Sequence, residues 1–227
     1  QMLGQATLGS QIGAPFHFRA KAADDSDADA LWTAGTRQNV GANRAIYTEG
    51  DHADRIFKVV SGAVRTFRLL EDGRRQVNAF YLAGEMFGLE AGESYYFCAE
   101  AIVASQLVVV RRDTLRRHIV SHPELIRDLW RVTASELERA QAHCVLLGRK
   151  SAIERVASFL ISMNKRTCGG DAIELPMSRQ DIADFLGLTI ETVSRTMTQL
   201  EEQKLIDMPS ARRIVIRDRR PLAALDA

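Results

Sequence analysis

The sequence is poor in several things that would narrow its class. It has three cysteines, Cys98, Cys144 and Cys168, too few and too scattered for a disulfide framework, and no two of them form a C-x-x-C pair. That fits a reducing, cytoplasmic setting. It lacks an excess of either charge, with 30 Lys+Arg against 29 Asp+Glu and a net charge of +1. The total alone points away from nucleic acid and from an anionic membrane. No long hydrophobic run is present: Ala101–Val110 is only ten residues long, and a bilayer-spanning helix needs about 20. The first residues lack the basic start and apolar stretch of a secretory signal. Catalytic signatures are missing too. There is no G-x-S-x-G, no glycine-rich phosphate loop and no H-E-x-x-H. A metal-dependent barrel enzyme needs clustered His and Glu ligands, yet His52 is the one histidine of the strand region, with no second before His118. No metal site, no cofactor and no enzyme are expected.

What is present divides the 227 residues into four stretches, a length that suits one large domain or two modest ones. Residues 1–30 hold Asp24, Asp25, Asp27 and Asp29 without apolar periodicity and read as a flexible arm. Residues 31 to about 112 read as strands, with turn signals about every 8–12 residues, the pattern of a sandwich or barrel. Asp72-Gly73 is the best hairpin, since Gly supplies a positive φ, and Val64–Leu70 and Arg75–Tyr81 are its strands.

Residues 113 to about 166 read as helical. From Pro123, residues Ile126, Trp130, Thr133, Leu137, Ala140, Cys144 and Leu147 recur at steps of 4, 3, 4, 3, 4 and 3, a helix-seam rhythm. That helix runs about 37 Å. It packs either on its own domain or on the same helix of a second subunit, and the 3.5-residue period favours the second. Gly148 marks the expected break before another amphipathic helix, Ala152–Lys165. Residues 171–227 read as a strand (Ala172–Leu175), two short helices and a strand at Arg213–Arg217.

The most informative stretch is Met177–Gln203. Ser178 followed three residues later by Asp181 suits a helix N-cap. Gly187 supplies a left-handed turn, and Thr189 caps a second helix. Ala183, Gly187 and Val193 match the spacing at which two helices of a helix-turn-helix meet. In the second helix Ile190, Val193, Met197 and Leu200 form an apolar stripe, while Glu191, Ser194, Arg195 and Thr198 form a polar one. Such stripes are usually solvated faces. Arg, however, matches guanine O6 and N7 in the major groove, and Glu, which phosphates repel, makes sense there as an acceptor for a cytosine amino group. Downstream, five arginines and one aspartate lie between Arg212 and Arg220. They form a phosphate-clamping wing or a solvated strand.

In order and spacing, these pieces resemble the Crp–Fnr superfamily of bacterial transcription regulators, most of all its Fnr/FixK-type branch. The resemblance covers about residues 31–218. It rests on Gly50-Asp51-His52-Ala53-Asp54-Arg55-Ile56, Val59-Val60-Ser61-Gly62-Ala63-Val64, Gly84-Glu85-Met86-Phe87-Gly88, Leu186-Gly187-Leu188-Thr189 and Glu191-Thr192-Val193-Ser194-Arg195. It implies an α+β architecture. An N-terminal double-stranded β-helix (a cyclic-nucleotide-binding-like β-roll, 31–118) is followed by a dimerisation helix (119–148) and a winged helix-turn-helix (149–227). It further implies that Glu191, Ser194 and Arg195 read TTGA in each half of a palindrome. Arg195 meets G, Glu191 the opposing C and Ser194 a nearby thymine. Ile190, Thr189, Thr192, Ser178, Arg179, Thr198, Arg212 and Arg213 are further candidates for DNA contact. The expected partners are double-stranded DNA, RNA polymerase and a second copy of the chain. For polymerase the exposed Glu71–Arg75 loop is the candidate, against a merely solvated tip.

The departures are informative. Cyclic-AMP-binding members place an Arg-Ser pair after the G-E-x-x-G loop. Here Glu93-Ser94-Tyr95-Tyr96-Phe97-Cys98 stands there, and no Arg occurs between Arg75 and Arg111. A buried phosphate would lack its counter-charge, so no cyclic nucleotide is expected. Oxygen-sensing members hold an iron–sulfur cluster on four cysteines, one more than this chain has. Cys98 reads as core and Cys144 as packing on the seam. Cys168 and Cys144 are the candidates for a redox switch, against inert thiols. The alternative function is a small-ligand-binding β-roll protein whose DNA binding needs an effector.

Overall fold

A computed structural model describes residues 28–167 and 170–225, with side chains from residue 31 onward. The arm expected over 1–30 lies outside the described residues up to 27, and Cys168 lies outside them as well. The first element among the described residues is helix α1 (Ala28–Thr33), so the strand region does not begin at 31. Leu31 and Trp32 are both buried, in one small core with Ile56, Val108, Val110 and Leu125. Consecutive side chains entering one core suit a helix, because a strand would send them to opposite faces.

Eight strands follow: β1 (Thr36–Val40), β2 (Ala45–Tyr47), β3 (Arg55–Ser61), β4 (Ala63–Leu69), β5 (Arg75–Leu82), β6 (Met86–Phe87), β7 (Cys98–Ala101) and β8 (Ser105–Arg111). They form two antiparallel sheets, ordered β1-β8-β3-β6 and β2-β7-β4-β5, which make the β-roll. The Asp72-Gly73 hairpin is present, with Gly73 at φ +81° and register from Ala63↔Leu82 to Leu69↔Arg75. Inside the roll Tyr47 stacks on Tyr95 at 3.7 Å and Phe57 on Phe87 at 5.0 Å. Cys98, expected in the core, is only half-buried, and its Sγ accepts from the Glu49 amide.

Helix α2 (Arg112–Ser121) precedes α3 (Glu124–Arg149). The long helix therefore starts just after Pro123, as the sequence signal there suggests, while 119, the expected boundary of the dimerisation segment, falls inside α2, and Gly148 stays inside α3. The break falls at Lys150-Ser151, because Ser151 and Glu154 form a capping box that starts α4 (Ala152–Arg166). Helix α3 has two unlike faces. Leu125 and Leu146 are buried against the chain's own cores. On the seam, Ile126, Thr133, Leu137, Ala140 and Cys144 are exposed, and Trp130 is 76% exposed. Cys144 is thus not packed within its own chain. Leu147 departs from the seam: it is half-buried and packs on the core of its own chain.

The C-terminal unit comprises β9 (Ala172–Glu174), α5 (Arg179–Leu186), α6 (Ile190–Glu202), β10 (Ile206–Ser210), β11 (Arg213–Ile216) and α7 (Arg219–Ala224). Strand β10 and helix α7 are additions to the sequence reading. Pro209 masks β10, but the sheet order β10-β11-β9 puts it at an edge, where a missing N–H costs no ladder bond. The core of this unit is continuous with the roll. Val77, Phe80 and Leu82 of β5 pack with Phe159, Leu160 and Met163 of α4.

Candidate DNA-binding interface

The reading unit is built from local signals. The Ser178 hydroxyl accepts from the Asp181 amide, and an Asp181 carboxylate oxygen accepts from the Ser178 amide at 3.0 Å. Together they close the start of α5. Gly187 ends α5 at φ +62°, and a Cβ there would lie 3.3 Å from Leu147 Cδ2. The left-handed turn favours glycine, and any larger residue would also have to displace the Leu147 methyl slightly. Thr189 caps α6 by accepting from the Thr192 amide, and its hydroxyl also shares a bond with that of Thr192.

Helix α6 buries Val193, Thr196, Met197 and Leu200. Ile190, assigned to the apolar stripe, is 37% exposed at the first turn of α6, and Thr196, outside that stripe, is buried. Glu191, Ser194, Arg195 and Thr198 are all exposed on the opposite face. The Ser194 and Thr198 hydroxyls donate to the Ile190 and Ser194 carbonyls. Bonds from its own backbone amide and from the Thr189 hydroxyl, with Arg195 one turn on, hold the Glu191 carboxyl below the usual carboxylate range. Glu191 is therefore an ionised acceptor at neutral pH, as a contact to a base amino group requires.

Other predicted contacts are placed differently. Arg179 turns inward, with its guanidinium against the sulfurs of Met197 and Met208, and burial lowers its pKa. Ser178 is exposed but spends its hydroxyl on the cap. The arginines of the wing do not act as one strand. Arg212 and Arg213 are exposed at the β10–β11 turn, with Arg213 3.7 Å from Glu174. Arg217 pairs with Asp207, and Arg219 and Arg220 belong to α7.

Three features had no sequence signal, because each joins distant residues. Arg155 donates to the carbonyls of Leu147, Lys150 and Leu186, each at 2.9 Å. It thus satisfies orphan acceptors at the ends of α3 and α5. His143 stacks on Phe185 at 4.1 Å, and its Nε2 lies 2.8 Å from the Phe185 carbonyl. Arg112 reaches the loop after β6 and donates to Gly88 and Gly92. A cation thus stands where the linear sequence shows none, with bonds already made to carbonyls. The hairpin tip also matters: Gly73 and Arg74 line a groove with Thr189, Ile190 and Glu191. Among the described residues no His, Cys, Asp or Glu cluster could hold a metal. No helix among them is long and apolar enough to cross a membrane.

Comparison with known proteins agrees with this geometry. Residues 154–225 match the Crp-like helix-turn-helix domain and residues 37–122 the cyclic nucleotide-binding domain. The chain is 49% identical over 216 residues to the nitrogen fixation regulation protein FixK of Azorhizobium caulinodans, covering 92% of this chain and 87% of that protein. It is also 49% identical over 173 residues to FixK of Rhizobium meliloti, covering 76% and 79%. The solved structure of FixK2 from Bradyrhizobium japonicum superposes with a TM-score of 0.82 at 46% identity, covering 85% of this chain and 98% of that one. These relatives are regulators and not enzymes. A helix-turn-helix with one face left to solvent, carried on a β-roll and a long helix, places this chain in the Crp–Fnr superfamily of DNA-binding transcription regulators, on its FixK-type branch.

Proposed function

We propose that the chain acts in the cytoplasm as a homodimer that binds a palindrome of TTGA-type half-sites and activates transcription by contacting RNA polymerase. The observation that carries the reading is the split of α6, with Val193, Thr196, Met197 and Leu200 buried on one face and Glu191, Ser194 and Arg195 together on the other. Arg195 reads guanine, Glu191 the opposing cytosine and Ser194 a thymine. Ile190, Thr189, Thr192, Thr198 and the Ser178 end of α5 border that face, and Arg212 and Arg213 stand by for phosphates. Arg179 serves by supporting α6 from within. The seam of Ile126, Trp130, Thr133, Leu137, Ala140 and Cys144 supports pairing of two α3 helices, since a water-facing Trp and Leu at helical spacing favour a partner. A reader this small covers half a site, so pairing is part of recognition. Of the loop Glu71–Arg75 expected to meet polymerase, Arg75 turns inward to Asp181 and Asp184, and the exposed remainder, Glu71–Arg74, is the surface offered to polymerase. The roll interior is filled by Tyr47, Phe57, Tyr81, Phe87 and Tyr95, which supports regulation without a cyclic nucleotide.

A gel shift on a TTGAT-N4-ATCAA duplex tests the reading. The expected result is a shift that weakens steeply with salt and on TAGA half-sites. No shift at moderate salt overturns it.

A further inference from the structure

The unit that carries α6 is held on the β-roll at both ends of strand β5. At the start of β5, Asp181 of α5, only 3% exposed, accepts from Arg65 at 3.0 Å and from Arg75 at 2.6 Å. Arg75 turns its Nε to Asp184 at 2.8 Å, and Arg65 pairs with Glu100 at 2.6 Å. Just beyond the far end, Glu85 accepts from Arg166 of α4 at 2.6 Å and from Arg139 of α3 at 3.3 Å. From Arg75 to Leu82 the strand covers about 23 Å. Between the anchors Phe80 meets Phe185 at 5.3 Å.

Apolar contact alone permits sliding and rotation. Directional ion pairs at two separated points fix separation and angle together. One partner is a buried carboxylate held by two guanidinium groups, which makes an undocked arrangement costly. The distance between two reading helices in a dimer then depends on how each unit sits on its roll, and not on α6 itself. One base pair more or less between half-sites moves them by about 3.4 Å and about 34°.

We propose that the Arg65–Asp181–Arg75–Asp184 cluster is a positioning device that sets which half-site spacing the dimer accepts. This rests on the palindromic reading above. Arg75 and Asp184 are the residues to vary. Asp181 also caps α5, and Arg65 remains to neutralise Asp181 when Arg75 is gone. Wild type, Arg75→Gln, Asp184→Asn and the double variant are titrated against TTGAT and ATCAA arms separated by 3, 4 or 5 base pairs, with thermal melts confirming that each is folded.

The expected wild-type protein prefers the four-base spacer by about tenfold or more, as each mismatched base pair in a site costs. Each single variant lowers that ratio to about threefold or less while keeping TTGA over TAGA, and the double variant goes no further, as for one shared interaction. Should Arg75→Gln not fold, Asp184→Asn decides alone. Spacer ratios that stay at the wild-type level, or binding that falls in parallel on all three duplexes, overturn the proposal. A wild-type protein that shifts none of the duplexes, or all three equally, overturns the palindromic reading beneath it.

Discussion

Helices α3 and α6 each leave one face in solvent, and the two faces are opposite in chemistry. On α3 it is Ile126, Trp130 and Leu137, apolar side chains at seam spacing. On α6 it is Glu191, Ser194 and Arg195, hydrogen-bonding groups with no apolar neighbour but Ile190. The first face gains by excluding water and so calls for another protein surface. The second gains only from a partner that offers matching donors and acceptors, which a DNA groove does. Arg155 ties the end of α3 to the end of α5, so under the proposed function pairing on the first face and reading by the second are mechanically joined.

The sharpest way to break this comparison is to make the first face resemble the second. Leu137→Glu is expected to give a monomer by sedimentation and to weaken binding to the full palindrome by about 10²–10⁴-fold, the gain that linkage of two half-site readers supplies. A dimer that survives Leu137→Glu would remove the seam from the account. Next comes the joint. Arg155→Met leaves the carbonyls of Leu147, Lys150 and Leu186 without their donor, and a loss of about 2–3 kcal/mol in unfolding free energy is expected by urea titration. A loss below about 0.5 kcal/mol, the size of an ordinary surface change, would mean that water replaces the guanidinium.

Arg195→Ala acts on the second face alone. It is expected to cost about 1–3 kcal/mol on TTGA and to relax the preference over TAGA. An unchanged preference would show that Arg195 does not read guanine. The smallest effect belongs to His143 at the joint. Burial lowers its pKa, so the neutral ring stabilises the fold. That contribution is fully present above the unfolded value near 6.5 and is lost as pH falls through it toward the lower folded value. The melting temperature is expected to drop between about pH 7.5 and 5.5, and His143→Gln to flatten part of that drop. A variant with the same slope as wild type would assign the titration elsewhere.

How much was legible follows from the range of each interaction. The capping box at Ser178 and Asp181, the left-handed Gly187 and the alternating faces of α6 act within a few residues, and the linear pattern carries them. The hairpin at Asp72-Gly73 is equally local. Helix α1 was illegible because Leu31 and Trp32 form too short a signal. Strand β10 was hidden by a proline that only its edge position tolerates. Arg179 looked like a surface cation in the linear pattern. Its inward turn depends on Met197 and Met208, which reach it from α6 and β10.

Read alone, the sequence establishes helices α4 to α6 with their starts, most of the apolar stripe of each, and the residues a DNA-reading face would present. These follow from backbone capping and from periods of 3.5 to 3.6 residues, both local in origin. Folding alone settles that the chain's own cores leave the rest of the seam bare and that Leu147 leaves it for its own core. It alone brought Asp181 to Arg65 across 116 positions of chain. Salt bridges between distant residues have no periodicity, so they come into view only when packing has brought their partners together.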